Sequence, residues 1–205
     1  MLRAHSLECI RDDRCLFREL SFSLTPGQVV SVEGRNGSGK TSLLRILCGI
    51  RLPDAGAVYW HDTEIGRLGP GYFLHVAYIG HADGIKLDLT PRENLLFAAA
   101  LGSRRDNADV DAVLDRVGLY ALEEVPTRVL SAGQKRRLAL ARLLATSAAL
   151  WVLDEPLSSL DRAGIDLFEA LLREHLADGG LAVMTTHHRL GLDGAAVQRM
   201  ELSAP

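Results

Sequence analysis

The sequence predicts an α/β fold whose mainly parallel sheet is covered by helices on both faces and interrupted by a helical insertion. Three observations carry this reading. A short β-branched run, Val29–Val32, leads directly into a glycine-rich loop and then a helix-periodic segment. A second apolar run, Leu150–Leu153, ends in paired carboxylates and is followed by another helical pattern. A third, Leu181–Thr185, comes after that helix. Short strands that are apolar on both faces, alternating with helices, belong to parallel sheets, because crossover helices bury both sides.

The elements follow in chain order. Leu20–Leu24 alternates Leu, Ser, Phe, Ser, Leu, which suits a half-buried strand, and Pro26-Gly27 turns the chain before Val29. Ser42–Cys48 places Leu43, Leu44, Ile46 and Leu47 at helical spacing, Arg51–Gly56 is a turn-rich link, and Ala57–Trp60 reads as a strand. Thr90-Pro91-Arg92-Glu93 combines a Thr N-cap, Pro at the first helical position and a Glu placed for a capping box. A helix is expected from there to about Leu101, stopped by Gly102, and a second over Asp109–Val117, stopped by Gly118. The stretch from Gly84 to Val125 is therefore expected to be mostly helical, with Leu95, Leu96 and Phe97 mostly in its own core. Helices are expected over Ser131–Ala145 and Asp161–Leu176.

At 205 residues with 47% hydrophobic and 24% charged residues, the chain can bury a sizeable core, which argues against disorder. A net charge of -3 gives no electrostatic footprint for nucleic acid, so no nucleic-acid partner is expected. Cys9, Cys15 and Cys48 are odd in number and form no CxxC pair, so they read as reduced thiols. The best apolar stretch, Leu143–Leu153, is broken by Thr146 and Ser147 and is far short of the roughly 20 residues of a membrane span. Met1–His5 lacks the apolar core of a signal peptide, so any membrane role is expected to be peripheral.

Gly34-Arg35-Asn36-Gly37-Ser38-Gly39-Lys40-Thr41 fits G-x-x-x-x-G-K-[ST], the phosphate-binding P-loop of NTPases. The glycines let backbone N–H groups face phosphate oxygens, Lys40 can reach the β- and γ-phosphates, and the Thr41 hydroxyl can ligate Mg²⁺. The following helix, with Ser42 in its first turn, adds its N-terminal partial positive charge. Asp154 and Glu155 end a buried strand, where ligands sit in open α/β sheets. Asp154 is placed to hold Mg²⁺ through water, and Glu155 to orient or deprotonate an attacking water.

Leu130-Ser131-Ala132-Gly133-Gln134 decides the class of P-loop protein. From the residues alone, Ser131 and Gln134 form a capping box that leaves N–H groups and a helix dipole facing outward. The same five residues resemble the LSGGQ signature of ATP-binding cassette (ABC) ATPases, with Ala132 replacing one glycine. The P-loop, helical insertion, signature and acidic strand then stand in that family's order, followed by a D-loop at Ser158-Ser159-Leu160-Asp161 and a switch histidine at His187. The resemblance implies one ABC ATPase domain over residues 1–205, with an N-terminal antiparallel β part and a helical subdomain inserted at about 84–145. It implies a homodimer that traps ATP between one P-loop and the partner's signature, so that Ser131 and Gly133 act in trans. Glu155 would be the general base, and His187 would contact the γ-phosphate; its neighbour His188 is the competing assignment.

Two positions depart from the family pattern. His81 stands where a hinge Gln ligating Mg²⁺ is usual, and imidazole titrates near neutral pH. Arg11 stands where an adenine-stacking aromatic is usual; its guanidinium plane can stack in its place. Gly80-His81-Ala82-Asp83-Gly84-Ile85-Lys86 and Leu89-Thr90-Pro91-Arg92-Glu93-Asn94-Leu95 are similar to the hinge of the cytochrome c maturation group of that family. Only residues 188–205 follow His187, so no added regulatory domain is expected. The resemblance implies a peripheral subunit on the cytoplasmic face of the bacterial inner membrane, paired with integral subunits of the cytochrome c maturation system. ATP hydrolysis would drive haem export or release of a haem-loaded chaperone. With no C-x-x-C-H in the chain, haem is expected to be handled by the partners. Lys86 and Arg92 are expected to line the groove that receives the partner. Another small exporter of lipid, polysaccharide or drug is the alternative, and a DNA-repair or translation ATPase is disfavoured by the single short cassette and the acidic balance.

Overall fold

A computed structural model describes residues 1–102, 109–188, 191–192 and 197–202. The chain forms β1 (Leu2–Arg11), β2 (Arg14–Leu24), β3 (Val29–Glu33), α1 (Lys40–Leu47), β4 (Ala55–Trp60) and β5 (Thr63–Glu64). Two single-turn helices, α2 (Ile65–Leu68) and α3 (Pro70–Phe73), lead to β6 (Val76–Ile79). Then come α4 (Pro91–Leu101), α5 (Val110–Arg116), α6 (Ala132–Leu144), β7 (Leu150–Asp154), α7 (Arg162–Ala177), β8 (Leu181–Thr185) and β9 (Val197–Glu201).

The five-stranded sheet runs β6-β7-β8-β3-β9 and every pair in it is parallel. Its central strands bury both faces, as their unbroken apolar character requires. Trp151 and Leu153 of β7 and Ala182 and Met184 of β8 pack toward α6 and α7. Leu150, Val152, Leu181 and Val183 point the other way, into a core shared with α1 and the N-terminal strands. On the first face Trp151 stacks on His175 of α7 at 3.9 Å between ring centroids, so this histidine is a packing residue.

The N-terminal strands make an antiparallel sheet of order β2-β1-β4-β5. Its hairpins turn on two residues each, Asp12-Asp13 (φ 51° and 58°) and His61-Asp62 (φ 45° and 65°). Turns of this hand match the twist of paired strands and need positive φ, which Asp tolerates better than most residues. The sequence reading omits β1 because its buried residues Leu2, Ala4, Leu7 and Cys9 break period two at Ser6. Ser6 has φ 46° and lies at a register shift against β2, which restores the inward face of the second half. The edge strand β9 and four-residue β6 are also omitted, being too short or too polar for alternation to show.

Between β6 and β7 the described elements are helical. Both expected capping boxes are present: Thr90 Oγ1 accepts from Glu93 N–H at the start of α4, and Ser131 Oγ accepts from Gln134 N–H at the start of α6. Leu95, Leu114, Val117 and Leu119 join a core that is continuous with the face of the parallel sheet carrying Trp151 and Leu153. Of the three apolar residues expected mostly in that core, only Leu95 is buried; Leu96 and Phe97 are 49% and 41% exposed. Successive helical residues diverge by about 100°, so three in a row cannot all face inward. The cysteines are free, and burial pushes the Cys48 thiol well above its ordinary range.

Candidate nucleotide site

The parallel register brings the chemistry to one edge. Ile79 pairs with Leu153, Asp154 with Thr185, and Thr185 with Val32. The segments that leave β3, β6, β7 and β8 at their C-terminal ends therefore converge, as ligand sites of open α/β sheets do. They line a cleft of about 770 Å³ that includes Lys40, Thr41, His81, Asp154, Glu155 and His187.

The loop before α1 has the shape its composition predicts. A Cβ on Gly34 would lie 2.6 Å from the Leu202 carbonyl oxygen and 2.8 Å from Ser38 Oγ, so only glycine fits. Gly39, at φ 100°, caps α1 without a side chain, leaving the first N–H groups of that helix turned toward the cleft. Lys40 Nζ donates to the carbonyl oxygens of Gly34 (2.6 Å) and Arg35 (3.2 Å), holding its ammonium across the loop. Ser38 Oγ is buried with no hydrogen-bond partner. An uncapped helix start, an orphaned hydroxyl and an ammonium are the groups an anion with several oxygens satisfies.

Asp154 is 5% exposed and accepts from Thr41 Oγ1 and Thr185 Oγ1, both at 2.7 Å. Thr185 Oγ1 in turn accepts from the Glu155 N–H at 2.9 Å. The Thr41 hydroxyl and Asp154 carboxylate form a hard-oxygen pair that fits Mg²⁺, which keeps several waters and takes phosphate oxygens for its remaining positions.

Glu155 has φ 49°, a left-handed conformation costing a non-glycine residue about 1–3 kcal/mol. Arg136 of α6, 2% exposed, offsets this strain. Its guanidinium donates to the carbonyl oxygens of Asp154, Glu155 and Pro156, and each such charged bond contributes about 1.5–3 kcal/mol. The turn thus aims the Glu155 side chain into the cleft. His187 Nε2 lies 3.3 Å from Glu155 Oε1, without hydrogen-bond geometry, and Oε1 is buried with no hydrogen-bond partner. His188 does not line this cleft; its N–H donates to Thr186 Oγ1.

The remaining site residues divide between two regions. Asn36, Gly37 and Ser42 also line the cleft, and Arg35 contributes its carbonyl to Lys40. Arg11 is at one end, beside Arg14 and Leu16, with its guanidinium 3.5 Å from Asp12. Arg14 is missing from the sequence reading; the pairing of β1 with β2 sets it opposite Arg11. Leu130, Ser131, Ala132, Gly133 and Gln134 lie outside the cleft of their own chain. A Cβ on Gly133 would approach the Ser159 carbonyl oxygen at 3.1 Å, which places the signature beside the D-loop segment. Ser159 has φ 64°, Leu160 N–H bonds the Leu157 carbonyl, and Asp161 caps α7 through the Gly164 N–H. The Arg137 guanidinium, 2.7 Å away, followed by that N–H, holds the Asp161 carboxyl below its usual range.

Arg136 is also missing from the sequence reading. Its signal is a basic residue on the same helical face as the buried Leu140 and Leu143. Arg92 belongs to neither the cleft nor an open groove: its guanidinium meets Asp111 (2.6 Å), Glu123 (3.1 Å) and Glu124 (2.8 Å) and ties α4 to the segment before α6. The expected docking role of Arg92 gives way to this internal one.

Comparisons with known proteins agree with this geometry. Residues 17–158 match the family model described as ABC transporter. The chain is 50% identical over 204 residues, 99% of its length and 96% of the relative's, to the cytochrome c biogenesis ATP-binding export protein of Nitrosomonas europaea. It is 52% identical to the protein of that name from Methylococcus capsulatus, covering 94% of each chain. Among solved structures, a putative ABC transporter ATP-binding protein from Pyrococcus furiosus aligns with a TM-score of 0.83 at 22% identity, over 98% of this chain and 96% of that one. A dimeric ATP-binding cassette in a post-hydrolysis state with ADP and Pi aligns with a TM-score of 0.76 at 22% identity, over 92% and 88%. These two show the shared fold.

Proposed function

Because the chain belongs to the ABC transporter family and, within it, to the cytochrome c biogenesis ATP-binding export proteins, it is an ATP-hydrolysing transporter subunit, and we propose how its residues perform that work. The observation that carries the proposal is the convergence of Lys40, Thr41, Asp154 and Glu155 on one cleft.

ATP binds with its β- and γ-phosphates over Gly34–Ser42, taking N–H groups at the start of α1, the Lys40 ammonium and the Ser38 hydroxyl. Thr41 and, through water, Asp154 hold Mg²⁺, which when bound neutralises charge on the phosphate oxygens. Glu155 accepts a proton from water as the water oxygen attacks the γ-phosphorus and the bond to the β-phosphate bridging oxygen breaks, giving ADP and phosphate. His187, next to Glu155, contacts the γ-phosphate, and His81 hydrogen-bonds the phosphate or a metal-bound water from the hinge side. Arg11 stacks on the base by its guanidinium plane.

The signature lies outside its own chain's cleft, which supports a head-to-tail homodimer in which Leu130–Gln134, with Ser131 and Gly133 foremost, serve the partner's ATP and Ser159–Asp161 line the dimer contact. Residues 1–205 act as one cassette, with the helical subdomain of about 84–145 inserted within it. No helix among the described residues is long and apolar enough to cross a membrane. The chain is read as a peripheral subunit on the cytoplasmic face of the bacterial inner membrane, bound to integral subunits of the cytochrome c maturation system. Its turnover powers haem export or release of a haem-loaded chaperone, and haem stays with the partners.

The partner's helix is placed in the groove lined by Phe73, Leu74, Lys86, Phe97 and Leu101. Lys86 Nζ lies 4.5 Å from the Phe97 ring centroid at its rim. Lys86→Glu is expected to lower co-purification of the membrane subunits while leaving nucleotide affinity unchanged; undiminished co-purification refutes the placement.

The physiological reading is tested by haem staining of membranes from cells whose only copy carries Glu155→Gln. Covalent c-type haem is expected to disappear while b-type cytochromes persist. Persistence of c-type haem would move the motor to a different exporter.

A further inference from the structure

α6 carries Arg136 on its buried face, and the mechanism above gives this residue no role in transmitting movement. Arginine has five N–H donors in a rigid plane, and here they meet five acceptors on two separate segments. Nε donates to Pro156 O (3.0 Å), while Nη2 donates to Asp154 O (3.2 Å) and Glu155 O (2.5 Å). Nη1 donates to Asp83 Oδ1 (2.8 Å) and Gly80 O (3.4 Å). Three of the acceptors are successive carbonyls of the turn that holds Glu155 at positive φ. The other two flank His81 on the segment leaving β6. Arg142, further along α6, donates to the Asp83 carbonyl at 2.8 Å, so the same helix grips that segment twice.

We propose that Arg136, with Asp83 as its counter-charge, is a positioning residue that transmits the placement of the His81 segment to the Glu155 turn. The proposal rests on the reading of Glu155 as general base. A guanidinium plane moves as one body. If Asp83 shifts, the N–H groups aimed at Asp154, Glu155 and Pro156 shift with it, the carbonyls rotate, and the Glu155 carboxylate swings relative to the attacking water. Both the segment and α6 border the groove assigned to the membrane partner, through Gly84 and Arg142, so a partner seated there acts on this link. The hydrogen bonds of Arg136 go to backbone carbonyls and to Asp83, so it holds the backbone that aims Glu155.

The test uses the complex extracted from membranes and compares wild type, Asp83→Asn and Arg136→Lys for kcat, KM for ATP and melting temperature. Asp83→Asn keeps the size and an acceptor oxygen but removes the counter-charge; Arg136→Lys keeps the charge with fewer donors. Asp83→Asn is expected to lower kcat roughly tenfold with KM unchanged and the protein still folded at a lower melting temperature, because a buried guanidinium loses its counter-charge, and Arg136→Lys to lower kcat roughly a hundredfold, since small misplacements of a reacting group carry losses of that order. If Arg136→Lys does not fold, Asp83→Asn decides alone. An unchanged kcat in folded Asp83→Asn overturns the proposal, as does a fall in kcat matched by loss of folded protein or by an equal rise in KM. Absence of ATP turnover in the wild-type complex overturns the underlying function as well, and so is distinguishable from the other outcomes.

Discussion

Glu155→Gln is expected to bind ATP with at least wild-type affinity and to lose turnover by roughly two to four orders of magnitude, the usual contribution of a positioned general base. The substitution preserves size and shape, and nothing that holds the turn depends on the carboxylate. The Glu155 N–H still meets Thr185 Oγ1, and its carbonyl still meets Arg136. What changes is the carboxylate itself, which can accept a proton from water; an amide cannot take that proton. Removing the carboxylate also removes its repulsion with the γ-phosphate, so the ATP-bound homodimer is expected to persist on gel filtration where wild type dissociates. Steady-state phosphate release checks the first part, and near-normal hydrolysis would refute the role of Glu155.

Lys40→Ala is expected to act one step earlier, on binding. The Lys40 ammonium bonds two carbonyls of its own loop, at 2.6 and 3.2 Å, and is free to exchange them for phosphate oxygens as ATP enters. Losing charge-assisted bonds of this kind costs about 3 kcal/mol or more, which is more than a hundredfold in Kd. The fold is expected to survive, because Lys40 is at the open start of α1 and the helix is anchored by Leu43, Leu44, Ile46 and Leu47, all fully buried. Titration with a fluorescent ATP analogue, with melting temperature as the control for folding, separates loss of affinity from loss of structure. The two variants therefore differ in kind: Glu155→Gln saturates with ATP and stalls, whereas Lys40→Ala turns over poorly because it is rarely occupied.

By itself the sequence determined three strands of the parallel sheet, β3, β7 and β8, and the loops that end them. Apolar runs bounded by turn residues, capping boxes at Thr90 and Ser131, and the glycine pattern from Gly34 to Gly39 are local signals whose physics acts within a few residues. The phosphate loop and the Asp154-Glu155 pair were legible for the same reason. Other features arise only when distant segments meet. β1 was hidden because a bulge at Ser6 breaks its alternation, and the partner strand alone reveals the register. Arg92 and Arg136 look alike in sequence, each a basic residue on a helix. The fold surrounds one with Asp111, Glu123 and Glu124 and the other with carbonyls from the turn after β7 and the segment after β6. Which histidine lies beside Glu155 likewise depends on the turn after β8, which brings His187 within 3.3 Å of Glu155 while the His188 N–H turns to Thr186. Charge neutralisation, burial and aim depend on what lies across the sheet edge, and no local pattern encodes those neighbours.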